Sequence, residues 1–159
     1  NADNAAAEVR NVKITNSTLS NIAVGLAATK GPDPVSVTIE NCTFAYCIQK
    51  GKYFIDFNKK AAKTIEISNC LFGVSGATTK ALAPLMAWRG KTAPQVIDLF
   101  FTKDFEWAAN EDGSPVSMFD GTTISTDMAG TFKSPLTSDF TIVNTVDFKI
   151  SKPGDQRWY

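Results

Sequence analysis

Two sets of charged side chains and three cysteines carry whatever chemistry this chain offers. The acidic set is Asp98, Asp104, Glu106, Glu111 and Asp112. Its spacing fits no Ca²⁺ loop, where oxygen ligands recur at fixed positions of one tight turn. These residues read as a solvated turn, and no metal site is expected. A glycoside hydrolase needs two facing carboxylates. Asp56 and Glu66 can be imagined as such a pair, but nothing in the pattern selects them. Histidine is absent. That excludes Ser-His and Cys-His nucleophiles and every His-ligated zinc or iron site. Cys42, Cys47 and Cys70 are too few, and odd in number, for a disulfide framework. Cys47 has no histidine to activate it. No catalytic residue and no cofactor is assigned.

The basic residues are better ordered along the chain. Lys30 lies in TKGPDP (29–34), Lys59, Lys60 and Lys63 in NKKAAK (58–63), and Arg89 and Lys91 in RGKTAP (89–94). If these loops stack at about 5 Å per layer, they form a basic strip, with Lys50 and Lys52 close by. Such a strip would hold a polyuronate or sulfated glycan through charge-assisted hydrogen bonds. The plainer reading is that lysines occupy wet loops and keep them soluble. Among the aromatic residues that could pack on a sugar face, Trp107 lies beside AANEDG and is expected exposed. Tyr53 is a further candidate. Trp88 ends an alternating strand and suits the core equally well.

The elements that must position these groups come from a repeat. Residues 12–19 read VKITNSTL, 37–44 VTIENCTF and 65–72 IEISNCLF, with Asn16, Asn41 and Asn69 spaced 25 and 28 apart. Before each Asn, apolar and polar residues alternate with the period of a half-buried strand. Val12, Ile14, Val37, Ile39, Ile65 and Ile67 face inward. A strand that bends sharply without a loop needs one residue at positive φ, and Asn tolerates it best after Gly. After the corner, Ser17, Cys42 and Cys70 take the next inward position, and Leu19, Phe44 and Phe72 the one after. Cys42 and Cys70 are expected as stacked, buried free thiols. A second strand is expected at 22–26 (IAVGL), 53–57 (YFIDF) and 84–88 (PLMAW). In the fourth unit, QVIDLF, the corner Asn is missing and Phe100 or Phe101 is expected in its place.

One such unit cannot bury its apolar side alone, so the units must stack. The expected fold is all-β: a short right-handed parallel β-helix forming a single domain over 1–159. Residues 10–103 supply the stacked coils and 104–159 the last coil and a C-terminal cap. VSMF (116–119), FTIV (140–143) and VDFKI (146–150) are expected as short strands there, with TDMAGTF and SPLTSDF irregular. The closing GDQRWY supplies a turn, an Asp155–Arg157 pair and Trp158 as an apolar plug.

Composition sets outer bounds. Lys plus Arg and Asp plus Glu number 16 each, for no net charge. A nucleic-acid partner is therefore not expected. With 43% apolar residues the chain can build a core. No run approaches the roughly 18 apolar residues of a membrane span, so no membrane insertion by this segment is expected. The start, NADNAAAEVR, has neither Met nor signal-peptide pattern. It reads as a mature product or the C-terminal part of a longer chain.

The stacked Asn-bearing units resemble the turns of the right-handed β-helix in the pectate-lyase-like superfamily. The order VTIENCTF, IDFN, IEISNCLFG, LTSDFTIV and GDQRWY resembles a C-terminal domain of unknown function in Bacteroidetes surface lipoproteins encoded with glycan-uptake systems. That family typically ends Gly-Asp-Pro-Arg-Trp, and Gln156 here replaces the proline. The resemblance implies export to the cell surface as part of an outer-membrane lipoprotein, or to the periplasm. It implies a polysaccharide as partner, alongside other domains of the same lipoprotein. Pectate lyases of this fold pair a basic proton abstractor with Asp-held Ca²⁺, and strands 22–26 and 84–88 offer no carboxylate beside Asp56. The leading expectation is thus a non-catalytic surface module that displays or binds complex, possibly anionic, glycan. Lys59, Lys60, Arg89, Lys91 and Trp107 are its candidate contacts. The alternatives are a polysaccharide lyase or glycoside hydrolase completed by coils outside this chain, and a purely structural spacer or cap.

Overall fold

The computed structural model describes residues 10–28, 36–58, 60–144, 147–148 and 151–159. Lys30 and Lys59, two members of the expected basic strip, lie outside the described residues, as does most of VDFKI. In chain order the strands are β1 (Asn11–Ser20), β2 (Ala27–Ala28), β3 (Ser36–Ala45), β4 (Tyr53–Asp56), β5 (Thr64–Ser68) and β6 (Leu71–Phe72). Then come β7 (Met86–Arg89), β8 (Gln95–Ile97), β9 (Phe100–Phe101), β10 (Thr122–Thr123), β11 (Phe132–Ser134) and β12 (Asp139–Ile142).

Two parallel sheets carry the molecule. The larger runs β10-β9-β6-β3-β5-β8, with β1 also on β3, and the smaller runs β2-β4-β7. Only β11 and β12 pair antiparallel among the named strands. The protein is therefore mostly β on a parallel plan. It is not purely so, because α1 (Met128–Thr131) makes one helical turn, its N-terminus capped by Asp127 Oδ1 accepting from the Gly130 amide at 2.7 Å.

In-register pairing explains the core. Leu19 lies opposite Phe44, Phe44 opposite Phe72, and Phe72 opposite Phe101. Phe44 and Phe72 stack with centroids 4.9 Å apart, and Phe54 of the smaller sheet meets Phe44 edge-on at 4.9 Å. The two sheets thus share one interior, to which Val37, Ile39, Ile65 and Ile67 add fully buried aliphatic side chains. Aromatic pairs of this geometry contribute about 0.5–1.5 kcal/mol each beyond their buried area.

The corners form a column. Asn16, Asn41 and Asn69 sit at φ 48°, 52° and 48°, and the flanking register places them opposite one another. The fourth corner corrects the sequence reading. It is Asp98, at φ 52°, not Phe100 or Phe101. Ser68 pairs with Ile97 and Leu71 with Phe100, so Asp98 falls opposite Asn69. Asp shares the tolerance of Asn for left-handed backbone, which a search for Asn alone overlooks.

Residues 22–26 also depart from expectation, since the strand there is only Ala27–Ala28. Gly25 approaches β4 so closely that a Cβ would lie 2.8 Å from the Tyr53 carbonyl oxygen. The segment makes single bonds instead of a ladder, among them Leu26 N–H to the Phe54 carbonyl at 2.8 Å.

A second apolar layer covers the outer face of the large sheet. Leu71 and Phe100 point away from the shared interior and meet Ile124, Met128, Phe132, Phe140 and Phe148. This layer absorbs TDMAGTF as α1 and the start of β11, and SPLTSDF through the 3-10 turn Pro135–Thr137. VSMF is not a strand, and Met118 within it is 44% exposed. β10 pairs with β9, so the stack continues beyond residue 104.

Candidate functional site

The sequence-predicted basic loops are adjacent where the structure describes them. Phe57 N–H donates to the Arg89 carbonyl at 2.8 Å, and Lys91 N–H to the Lys60 carbonyl at 2.9 Å. Thr92 Oγ1 donates to the Ala62 carbonyl at 2.7 Å and accepts from the Ala62 amide at 3.0 Å. Gly90 permits this closeness, because a Cβ there would lie 3.3 Å from both the Lys60 carbonyl and Phe57 Cβ. Lys60, Lys63 and Lys91 are exposed on the resulting ledge. Among the described residues none of the three makes an ion pair.

Arg89 is arranged differently from the lysines. Register sets it opposite Asp56, and its Nε and Nη2 donate to Asp56 Oδ1 and Oδ2 at 2.9 and 2.7 Å. Its guanidinium also lies over the Tyr53 ring, 5.0 Å from the centroid. Partial burial opposes ionisation of Asp56, but the Arg89 hydrogen bonds and the Asn58 amide outweigh it and lower the carboxyl's pKa. The same bonds raise the already high pKa of Arg89. The expected free cation is therefore half of an ion pair, and Tyr53 offers its covered ring to a guanidinium.

Trp107 is not exposed. It is half-buried against the core, with Phe105 at 4.8 Å and Phe101 at 5.3 Å, both edge-on. Its bridge to Leu85 turns the ring toward the interior, and local polarity in AANEDG does not report that tertiary contact. Trp88 packs on the same core. Cys42, Cys47 and Cys70 are buried free thiols. Burial pushes Cys47 up to about 11 and Cys70 well above the ordinary thiol value, so neither is a thiolate at neutral pH, whereas the hydrogen bond from Cys70 lowers the pKa of Cys42 against its burial.

The most densely bonded polar cluster joins the C-terminal segment to the outer face of the large sheet. Gly154, at φ 91°, donates its N–H to the Asn69 carbonyl at 2.9 Å. The Asp155 amide donates to Thr43 Oγ1 at 3.0 Å, and Thr18 Oγ1 donates to Asp155 Oδ2 at 2.8 Å. Trp158 Nε1 in turn donates to Thr18 Oγ1 at 2.6 Å. Arg157 closes the group with Nε to Asp155 Oδ1 at 3.0 Å and Nη2 to Oδ2 at 2.5 Å. Thr18 and Thr43 are register partners on β1 and β3. Each falls between the two inward positions that follow the corner Asn, and sequence pattern gives no sign of their pairing with a segment more than a hundred residues away.

Over residues 37–158 the chain matches a family model described as a domain of unknown function (DUF5123), and it belongs to that family. No curated protein and no solved structure matches it.

Proposed function

We propose that this family member is a short right-handed parallel β-helix with a C-terminal cap. On this reading it serves as a non-catalytic surface module of an exported glycan-utilisation lipoprotein. The helix reading is supported by partners that recur at nearly constant offset: Ile14 with Ile39, Ile39 with Ile67, Ile67 with Val96. The surface placement, and other domains of the same lipoprotein as neighbours, rest on the resemblance of the repeat and of GDQRWY.

The ligand is an anionic polysaccharide lying along the ledge. The observation that carries this is the Lys91–Lys60 backbone bond at 2.9 Å. It sets two uncompensated ammonium groups at equivalent places of adjacent loops, roughly one interstrand spacing of 4.8 Å apart at the backbone. Acidic groups repeating along one chain meet such a row with several charge-assisted bonds at once. Arg89 contributes less, because Asp56 already occupies its fork.

Affinity electrophoresis through gels containing polygalacturonate or chondroitin sulfate tests the reading. The protein should be retarded, less so as salt rises. The Lys60→Ala/Lys91→Ala variant should lose most of that retardation. Equal retardation of both proteins removes the ledge from the account. Release of unsaturated uronate absorbance by the protein would favour the lyase alternative. Absence of retardation in every gel would leave a structural spacer, a reading that the Asp155 cluster also favours.

A further inference from the structure

A cleft of about 180 Å³ lies apart from the basic ledge. By the share of liquid volume a water takes, it has room for about six waters. Its rim is held in place by backbone. Gly76 bridges Leu82, and Ala83 N–H donates to the Ser75 carbonyl at 3.0 Å. Leu85 N–H donates to the Glu106 carbonyl at 2.8 Å, so the 104–106 segment forms the facing wall. Gly76, at φ 137°, is needed for the tight return, since a Cβ would lie 2.3 Å from the Ala81 carbonyl oxygen.

The polar groups lining this cleft are Ser75, Asp104 and Glu106. Asp104 is oriented by its Oδ1, which accepts from the Met128 amide at 3.0 Å at the start of α1. Its second oxygen is left for another donor. Among the described residues neither Asp104 nor Glu106 makes an ion pair. Ser75 is only 7% exposed, yet its hydroxyl has no hydrogen-bond partner among them. Its oxygen is not shut off from solvent, unlike Asn69 Oδ1 and Thr102 Oγ1, and what exposure the residue has is toward the cleft it lines. Val74, Leu82 and Pro84 supply the apolar part of the lining.

We propose that the cleft binds a primary ammonium group carried on an aliphatic carbon. The ligand's three N–H donors match three acceptors, the Asp104 carboxylate, the Glu106 carboxylate and Ser75 Oγ, while its carbon stem lies on Val74, Leu82 and Pro84. An anion is repelled by the two carboxylates. A neutral polyol leaves both charges uncompensated. A Ca²⁺ ion takes six to eight oxygens, and these three side chains supply at most five, so it would need water or backbone oxygens to complete its shell. The inference stands independently of the basic ledge and survives if that reading fails.

Amide chemical shifts followed during titration test it, with n-butylamine as the probe of the ammonium itself. Shifts should appear at Ser75, Asp104 and Glu106. Glu106→Gln should weaken binding by about tenfold or more, the size of one charge-assisted bond. Glu106 is exposed and its carboxylate bonds to no other described residue, so this variant keeps its fold. Ser75→Ala gives a second reading from the opposite wall. Glucosamine and Nα-acetyl-lysine methylamide then separate an amino sugar from a peptide as the source, by which binds tighter. The proposal is overturned if N-acetylglucosamine shifts the same amides as strongly as glucosamine. It is equally overturned if calcium chloride alone does so, if Glu106→Gln binds butylamine unchanged, or if no shift appears.

Discussion

Asn69 donates its side-chain N–H to Asn41 Oδ1 at 2.7 Å across adjacent strands, while its own Oδ1 is buried without a hydrogen-bond partner. The cause is the residue opposite. Asp98 occupies the next corner and, when ionised, has only acceptors to present. Among the described corner pairs only Asn41 and Asn69 are joined side chain to side chain; Asn16 with Asn41 and Asn69 with Asp98 are not.

Asp98→Asn should give the buried Asn69 Oδ1 a partner. Asn keeps the positive φ that Asp98 already adopts, and its amide supplies the absent donor. A satisfied hydrogen bond is worth about 0.5–1.5 kcal/mol net. Urea unfolding should therefore show a higher midpoint with an unchanged slope. A lower midpoint would mean that Asp98 serves another partner.

Gly154→Ala should loosen the C-terminal segment. The added Cβ would lie 2.5 Å from Thr43 Oγ1 and 3.1 Å from Leu71 Cβ, at φ 91°. Backbone strain of this kind costs roughly 1–3 kcal/mol. Limited proteolysis should cut the variant after residue 150 while the wild type resists, and Trp158 emission should shift to the red. Protection equal to wild type would show that the strand below gives way.

Acid should weaken the protein through Asp155. Burial opposes its ionisation, but the Arg157 and Thr18 hydrogen bonds prevail, and the carboxyl's pKa is lowered. A carboxyl lowered on folding contributes stability that is fully present above its unfolded pKa of about 3.9. That contribution fades as pH falls through the folded value. Tm should thus fall below about pH 4. Asp155→Asn should lose roughly 2 kcal/mol at pH 7, as expected for hydrogen bonds to a buried charge, and show a flatter acid limb. An identical acid limb in the variant would assign the transition to other carboxyls.

Asp56→Asn should change binding more than stability. The Arg89 side chain is 47% exposed and that of Asp56 28%, so the pair contributes at most about 1 kcal/mol. Removing the carboxylate frees the guanidinium and takes one negative charge from beside the ledge. Retardation in polygalacturonate gels should rise, with Tm within a few degrees of wild type. Weaker retardation would show that Asp56 itself helps hold the ligand.

Much of the plan was legible in the sequence because it is written in short-range pattern. Alternation in VTIENCTF and IEISNCLF marks inward residues, and Asn at the corner marks a backbone conformation few side chains accept. What the sequence concealed are contacts between distant segments. Trp107 looks polar in its surroundings but is turned inward by its bridge to Leu85. Arg89 looks like a free cation until register sets Asp56 opposite. The cleft depends on Gly76 folding one loop back on itself, and neither Ser75 nor Glu106 carries a local signature of that.

The Asp155 cluster also bears on the order of assembly. Its bonds span 112 residues to Thr43 and 137 to Thr18, among the largest separations the chain allows. Contacts of such high order close late and slow the search for the native state. β1 and β3 must already lie side by side, threonines in register, before the tail finds its seat. Its docking is thus a latch that closes only on a correctly aligned first pair of strands.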